Sequence, residues 1–297
     1  MLTKEDLKKV EKYCKDEINT YLLYKTLSNY SKDNKIKDDL KKLSEQELEH
    51  YNFWKSIIGH ECEPDIKPGL LFRVLYRLFG PVFTLQVLEN NESATIDEYK
   101  QFLGKLENDY QKSILKKIIQ DEETHERQII GDIKDVRVKY LSYVALGLAD
   151  AIVEVSGVHA GFLGATDKTI IAGVAGLVVG FSAALSMAGA AYLQAKQEKA
   201  IRASAGAIVT GFSYLLTVVI LALPYLLLRN IIEAFVISLF FATAMISGFT
   251  YYSSIIHTQR FSREIIESLL MLFLTAIAGF FFGDLIGKVF GIRALIG

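Results

Sequence analysis

The chain has 297 residues, 51% of them apolar and 23% charged, with a mean hydropathy of +0.25. Of its 33 Lys/Arg and 34 Asp/Glu residues only 17 fall in 141–297. That is about 11% of that stretch against about 36% of residues 1–140, which excludes a single globular enzyme and predicts a soluble domain joined to a membrane domain. A net charge of −1 leaves no basic excess to neutralise phosphates, so no nucleic-acid partner is expected.

Thr3, in T-K-E-D, reads as an N-cap, and Leu7, Val10, Ile18, Leu22 and Leu23 follow helical period to about Tyr30. A polar turn over 31–34 leads to a second helix through Leu40, Leu43, Glu47, His50, Phe53 and Ile57, broken by Gly59, Pro64 and Pro68. Residues 70–79 (LLFRVLYRLF) read either as a crossover segment or as an amphipathic helix on a membrane surface. A third helix is predicted from about Val82 to Leu103 and a fourth from about Glu107 to Lys139. Four helices with one long connection, between the second and third, is the topology of a ferritin-like bundle. Cys14 and Cys62 make no CxxC pair or disulfide framework and are expected to be reduced thiols on the cytosolic side. The opening MLTKEDLKKVEKY lacks the apolar core of a signal peptide, so export by that route is not expected.

From Tyr140 onward the apolar runs reach spanning length, about 20 residues each. Five are predicted, at about 141–165, 169–193, 205–228, 231–254 and 266–290. The expected fold class is therefore all-α, a ferritin-like four-helix bundle over 1–137 followed by a five-span transmembrane domain over 138–297. Seven basic residues (Arg137, Lys139, Lys196, Lys199, Arg202, Arg260 and Arg263) flank the span ends nearest the soluble domain, against four (Lys168, Arg229, Lys288 and Arg293) at the opposite ends. The excess predicts a cytoplasmic N-terminal domain.

One pattern occurs twice in the soluble part. Glu17 is followed seven residues on by Tyr24 and then by Glu47 and His50, and Glu92 is followed seven residues on by Tyr99 and then by Glu122 and His125. Glu and His three apart share a helical face. Random placement of 20 Glu and 5 His yields about 0.3 such pairs, so two at matching places in a repeat point to metal. One Glu from each of two helices plus E-x-x-H from each of the other two makes the inward di-metal site of such bundles. Glu89, one turn before Glu92, is a candidate seventh ligand. Oxygen-rich ligation with two imidazoles suits iron or manganese. Tyr24 and Tyr99 are placed behind the ligands, bonding their carboxylates, and Glu45, Glu49, Glu123 and Glu126 on the outer face.

Residues 1–137 resemble the rubrerythrin branch of the ferritin-like superfamily, and the resemblance implies two irons held by Glu17, Glu47, His50, Glu89, Glu92, Glu122 and His125. The cysteine module that carries electrons in full rubrerythrins is absent.

The first span contains Asp150 and Glu154, i and i+4 on one face. Asp150 lies about 14 Å along the helix from Leu141, near mid-membrane. An ionisable group there costs about 2.5–3.5 kcal/mol, and two carboxylates without a basic residue call for a cation or protons. Met187 in the second span is a soft thioether suited to a transition metal. Gly157 and Gly161, and the ladder Gly279, Gly283, Gly287 and Gly291, predict close helix packing. Asp284 is placed near the interface, and His159 is left out of the path because it points about half a turn away from Asp150.

The stretches LGLADAIVEVSG and AALSMAGAAYLQAKQE resemble the first and second spans of the vacuolar iron transporter family. The resemblance implies a dimeric exporter of Fe²⁺, and of Mn²⁺ in many members, working against protons, with Asp150 and Met187 lining the path. Ala151 and Ala191 stand where many members have glycine and glutamate, and Gln194–Ser204 is too short for the metal-binding insertion of plant-type members. The order of bundle then transporter resembles the membrane-bound ferritin proteins that export iron. The expected function is thus a homodimeric transporter rather than an enzyme, in the cell membrane of a prokaryote or an organelle membrane otherwise, with its bundle capturing metal or gating the path. The alternative is a membrane-anchored di-iron ferroxidase or peroxidase.

Overall fold

Thr3 accepts a hydrogen bond from the backbone N–H of Asp6, while Asp6 accepts from the N–H of Thr3. This reciprocal cap satisfies two donors that a helix start leaves open and fixes the beginning of α1 (Lys4–Tyr30). Asp33 caps α2 (Asn34–Ile58), accepting from the N–H groups of Lys35 and Ile36, and Gly59 ends it with φ +84, a left-handed conformation that glycine adopts without a Cβ clash. The computed structural model describes residues 2–65, 70–89, 92–131, 135–198, 201–257 and 259–292, without the side chains of 70–71, 88–89, 92–94 and 125–131. The described residues are helical throughout their ordered elements, as the sequence predicts. They continue with α3 (Leu70–Phe79), α4 (Pro81–Glu89), α5 (Glu92–Leu103) and α6 (Asp109–Gly131). The single helix predicted over 82–103 is described as α4 and α5, and residues 90–91 lie outside the described residues. The fourth helix is described as far as Gly131, and residues 136–139 belong to the first long apolar helix instead.

Two compact units divide at Asp135/Val136. The core of the first is drawn from α1, α2, α5 and α6, with Val10, Tyr13, Trp54, Tyr99, Phe102 and Leu115 fully buried. Each such side chain contributes about 1.5–3 kcal/mol. Cys14 and Cys62 are joined in a disulfide with their Cα atoms 6.0 Å apart, which corrects the expectation of reduced thiols. The reason is local. Cys14 lies on the core face of α1, and the chain reverses at Gly59 to lay Cys62 against it. Spacing alone carried no sign of this, since 48 positions separate the two. Closing so long a loop restricts the unfolded chain by about 4 kcal/mol.

The second unit holds five helices long and apolar enough to cross a membrane, which makes the chain a multi-pass membrane protein: α7 (Val136–Ala165), α8 (Thr169–Glu198), α9 (Ala203–Leu227), α10 (Ile231–Ile256) and α11 (Phe261–Val289). Their outer faces are apolar, with Phe181, Leu185, Leu274, Phe281 and Phe282 exposed as lipid contact requires. The inner faces are closed by small residues and polar links. Helix α7 packs against each of the other four. Thr210 of α9 donates to the carbonyl of Tyr143 at 3.1 Å, and Ser238 of α10 to that of Leu221 at 2.8 Å. The glycines pack closely as predicted, and they do so on each other, Gly157 and Gly161 of α7 lying against Gly279 and Gly283 of α11. Gly291 is a correction: it falls beyond α11 with φ +64 and no close neighbour, so it serves a turn rather than the crossing.

Candidate metal centre

Glu17 projects from α1, Glu47 and His50 from successive turns of α2, and Glu122 from α6, and all four are buried. One ligand atom from each lies within 4.8 Å of all the others. Burial of the acidic groups follows from their register: Val10, Tyr13 and Cys14 share the inner face of α1 with Glu17, and Leu40, Leu43 and Trp54 share that of α2 with Glu47 and His50. The imidazole Nδ1 of His50 stands 2.9 Å from Glu122 and 3.7 Å from both Glu17 and Glu47. Tyr99 of α5 donates its hydroxyl to Glu17 Oε1 at 2.6 Å, across 82 positions of sequence. The tyrosine of one half of the repeat therefore secures the carboxylate of the other half.

Three carboxylates face one imidazole with no Lys or Arg among these ligands. Burial raises Glu17 well above the usual carboxylate range, opposed by His50 and reinforced by Glu47 and Glu122. Burial alone would depress His50, but Asp121, Glu122, Glu17 and Glu47 outweigh it and hold the imidazole well above its ordinary value. Three carboxylates and a nitrogen are the donors that iron and manganese favour. A divalent cation would replace the protons that now hold this cluster together.

A pH dependence follows. Both groups bind protons more tightly folded than unfolded, so their contribution is full below the ordinary Glu and His values and is lost as pH rises through the folded ones. In chelator, the bundle is expected to melt at a lower temperature at about pH 8 than at about pH 5, the window set by those ordinary values. Fe²⁺ or Mn²⁺ should raise the melt more at the higher pH, and a chelated protein that stabilises with rising pH would refute the assignment. Asp6, held low chiefly by its bond to Lys105, acts only in stronger acid and leaves this window clear.

Glu89 and Glu92 close α4 and open α5, and His125 lies on α6, but their side chains fall outside the described residues. Tyr24 is fully buried on the same face of α1 as Glu17. Glu45, Glu49 and Glu123 stay outside, pairing with Lys41, Lys117 and Lys100. Asp121, which the sequence reading missed, sits 3.6 Å from His50 Nε2 and orients the ring from its far side. Its only signal was its place directly before Glu122.

In the second unit, Glu154 accepts a hydrogen bond from Tyr214 of α9, a fully buried residue that the sequence reading also missed. A tyrosine in an apolar span, one of two in α9, was the available signal. Met187 packs on the cluster that contains Tyr214, Ala151 and Val155, whereas Asp150 is exposed on the surface of the chain. Asp284 pairs with Lys288 at 2.6 Å. His159 points away from these groups, fully buried between Tyr225, at 4.1 Å between ring centroids, and Gly176.

Compared with models of protein families, with curated proteins and with solved structures, the chain finds no match. What it is follows from its own residues: an all-helical, multi-pass membrane protein whose first unit buries a four-residue cluster of metal-ligand type.

Proposed function

We propose that the protein carries divalent iron, with manganese as the alternative cargo, out of the cytosol, and that its bundle binds the same metal. The observation that carries this is the buried Glu17–Glu47–His50–Glu122 cluster in one chain with five membrane helices, the first bearing Asp150 and Glu154. An anchor alone needs no carboxylates at mid-membrane. Asp150 and Glu154 take the ion partly dehydrated, Tyr214 steadies Glu154, Met187 offers a soft contact, and protons moving inward release the ion. The likeness of the quoted motifs to vacuolar iron transporters and to rubrerythrin supports this reading, which includes a homodimer with the bundle on the cytosolic side. The basic residues at the bundle end of the spans favour that orientation, and burial of Cys14 and Cys62 withholds their disulfide from cytosolic reductants.

The test is Fe²⁺ flux in proteoliposomes of the full chain with an internal metal reporter. Asp150→Ala is expected to abolish flux while the bundle keeps its metal, and Glu47→Ala with His50→Ala to empty the bundle. Flux that survives Asp150→Ala would show the path to run elsewhere. The hydrogen bond from Tyr99 to Glu17 favours a second reading, an anchored di-iron ferroxidase or peroxidase, which predicts peroxide turnover independent of Asp150 and no flux.

A further inference from the structure

Around Tyr99 the core holds an unusual set of oxidisable rings. Tyr99, Trp54 and Tyr13 are each 4.9 Å from the other two, centroid to centroid. Phe53 and Phe102 pack around Trp54 at 4.9 and 5.5 Å, and phenylalanine does not take part in biological electron transfer. One end of the triad reaches the centre, because the Tyr99 hydroxyl is bonded to Glu17. The other end reaches the outside: Tyr13 lines a small surface pocket with Lys9, Glu98, Gln101, Phe102 and Lys105, its hydroxyl facing Glu98. Beside both, the buried indole N–H of Trp54 has no hydrogen-bond partner among the described residues. With no acceptor for its proton, an oxidised indole there keeps that proton and passes the charge on. Cys14 and Cys62, in the same core, are already bonded to each other, so neither offers a thiol that would intercept it.

We propose that Tyr99, Trp54 and Tyr13 form a one-electron relay between the metal centre and the protein surface at Tyr13, where a small soluble donor is oxidised by contact. The proposal rests on the reading of the buried cluster as an iron site, and it supplies the electron route that a separate cysteine module would otherwise provide. Each ring gives one electron to the ring nearer the centre and regains one from the ring nearer the surface. The phenolic protons of Tyr99 and Tyr13 move within their hydrogen bonds to Glu17 and Glu98 and return with the electron. With hydrogen peroxide as oxidant and ascorbate as donor, two ascorbate monoanions and one peroxide give two monodehydroascorbate radicals and two waters.

The chain contains one tryptophan, so an indole radical can arise only at Trp54. The full chain in nanodiscs, loaded with Fe²⁺ and mixed with peroxide, is freeze-quenched for electron paramagnetic resonance, and ascorbate consumption is followed in parallel. Wild type should show an aromatic radical that ascorbate quenches. Tyr13→Phe, which keeps the packing, should strand the radical on Trp54 and abolish ascorbate oxidation. Trp54→Phe should remove the indole signal and slow ascorbate oxidation to what the direct Tyr99–Tyr13 contact carries. Ascorbate oxidation unchanged in Tyr13→Phe, or no aromatic radical in iron-loaded wild type, overturns the relay. If the protein binds no iron, the metal reading fails separately. The metal-free chain is then flashed with a ruthenium photo-oxidant. An indole transient in wild type that Tyr13→Phe delays and Trp54→Phe removes upholds the relay, and its absence in wild type overturns it.

Discussion

Glu47→Gln is expected to weaken metal binding by about 100-fold or more while raising the stability of the metal-free protein. Loss of partners behind the ligands already costs 10–100-fold in comparable sites, so loss of a ligand itself sets the larger figure. The gain in stability has a separate cause. Glu17, Glu47 and Glu122 crowd one buried imidazole, and folding without metal must bury carboxyl groups that repel each other. An amide of the same shape removes one of these charges and relieves that cost. Thermal melts in chelator and in excess Mn²⁺ measure both effects. The variant should melt above wild type in chelator and gain little from metal. A variant that melts below wild type in chelator would show Glu47 to be a structural anchor for His50 and would weaken the case for a metal.

His50 calls for a different expectation, because Asp121 and the three glutamates all depend on it. Its removal leaves carboxylates without their shared cation or proton, so the two substitutions should move chelated stability in opposite directions. This contrast follows from the geometry of the cluster and could not be drawn from the spacing of E-x-x-H.

The sequence carried the helices because their signals are local and repeated: the cap at Thr3, the stop at Gly59, and apolar runs too long for a soluble helix. It carried Glu17, Glu47, His50 and Glu122 as candidates because the Glu–Tyr and E-x-x-H spacing occurs twice, once in each half of the bundle. What escaped it depends on contacts between distant segments. The disulfide requires the reversal after α2 to return Cys62 to α1. The bond from Tyr99 to Glu17 joins different halves of the repeat, and the sequence pattern suggested pairing within each half no less than across them. Asp121 and Tyr214 were passed over for the same reason, since each gains its role from a partner on another helix. Exposure of Asp150 was likewise invisible, because periodicity shows that a residue shares a face with Glu154 but not what covers that face.

Gly283→Leu is expected to prevent α11 from seating on α7. A Cβ at Gly283 would overlap the backbone carbonyl of Gly161, and one at Gly279 that of Gly157. Backbone cannot swing aside as a side chain can, so even alanine forces the helices apart. Overpacking of this kind costs about 1–3 kcal/mol, and a leucine exceeds that range. At Gly157 a new Cβ meets the Thr275 methyl at 2.9 Å, and a rotation of that side chain relieves it, so Gly157→Ala should be milder than Gly283→Ala. Gly189 and Gly248 have no neighbour within 4 Å of a new Cβ, and alanine at either should be neutral or slightly stabilising. Thermal unfolding of the full chain in detergent ranks the series. If Gly283→Leu folds as well as Gly248→Ala, α7 and α11 do not cross through their glycines. The consequence reaches Asp150 and Glu154, for α7 carries both, and the helix that holds it in place on the glycine side is α11. A loosened crossing should therefore impair metal flux even where the bundle centre keeps its full complement of metal.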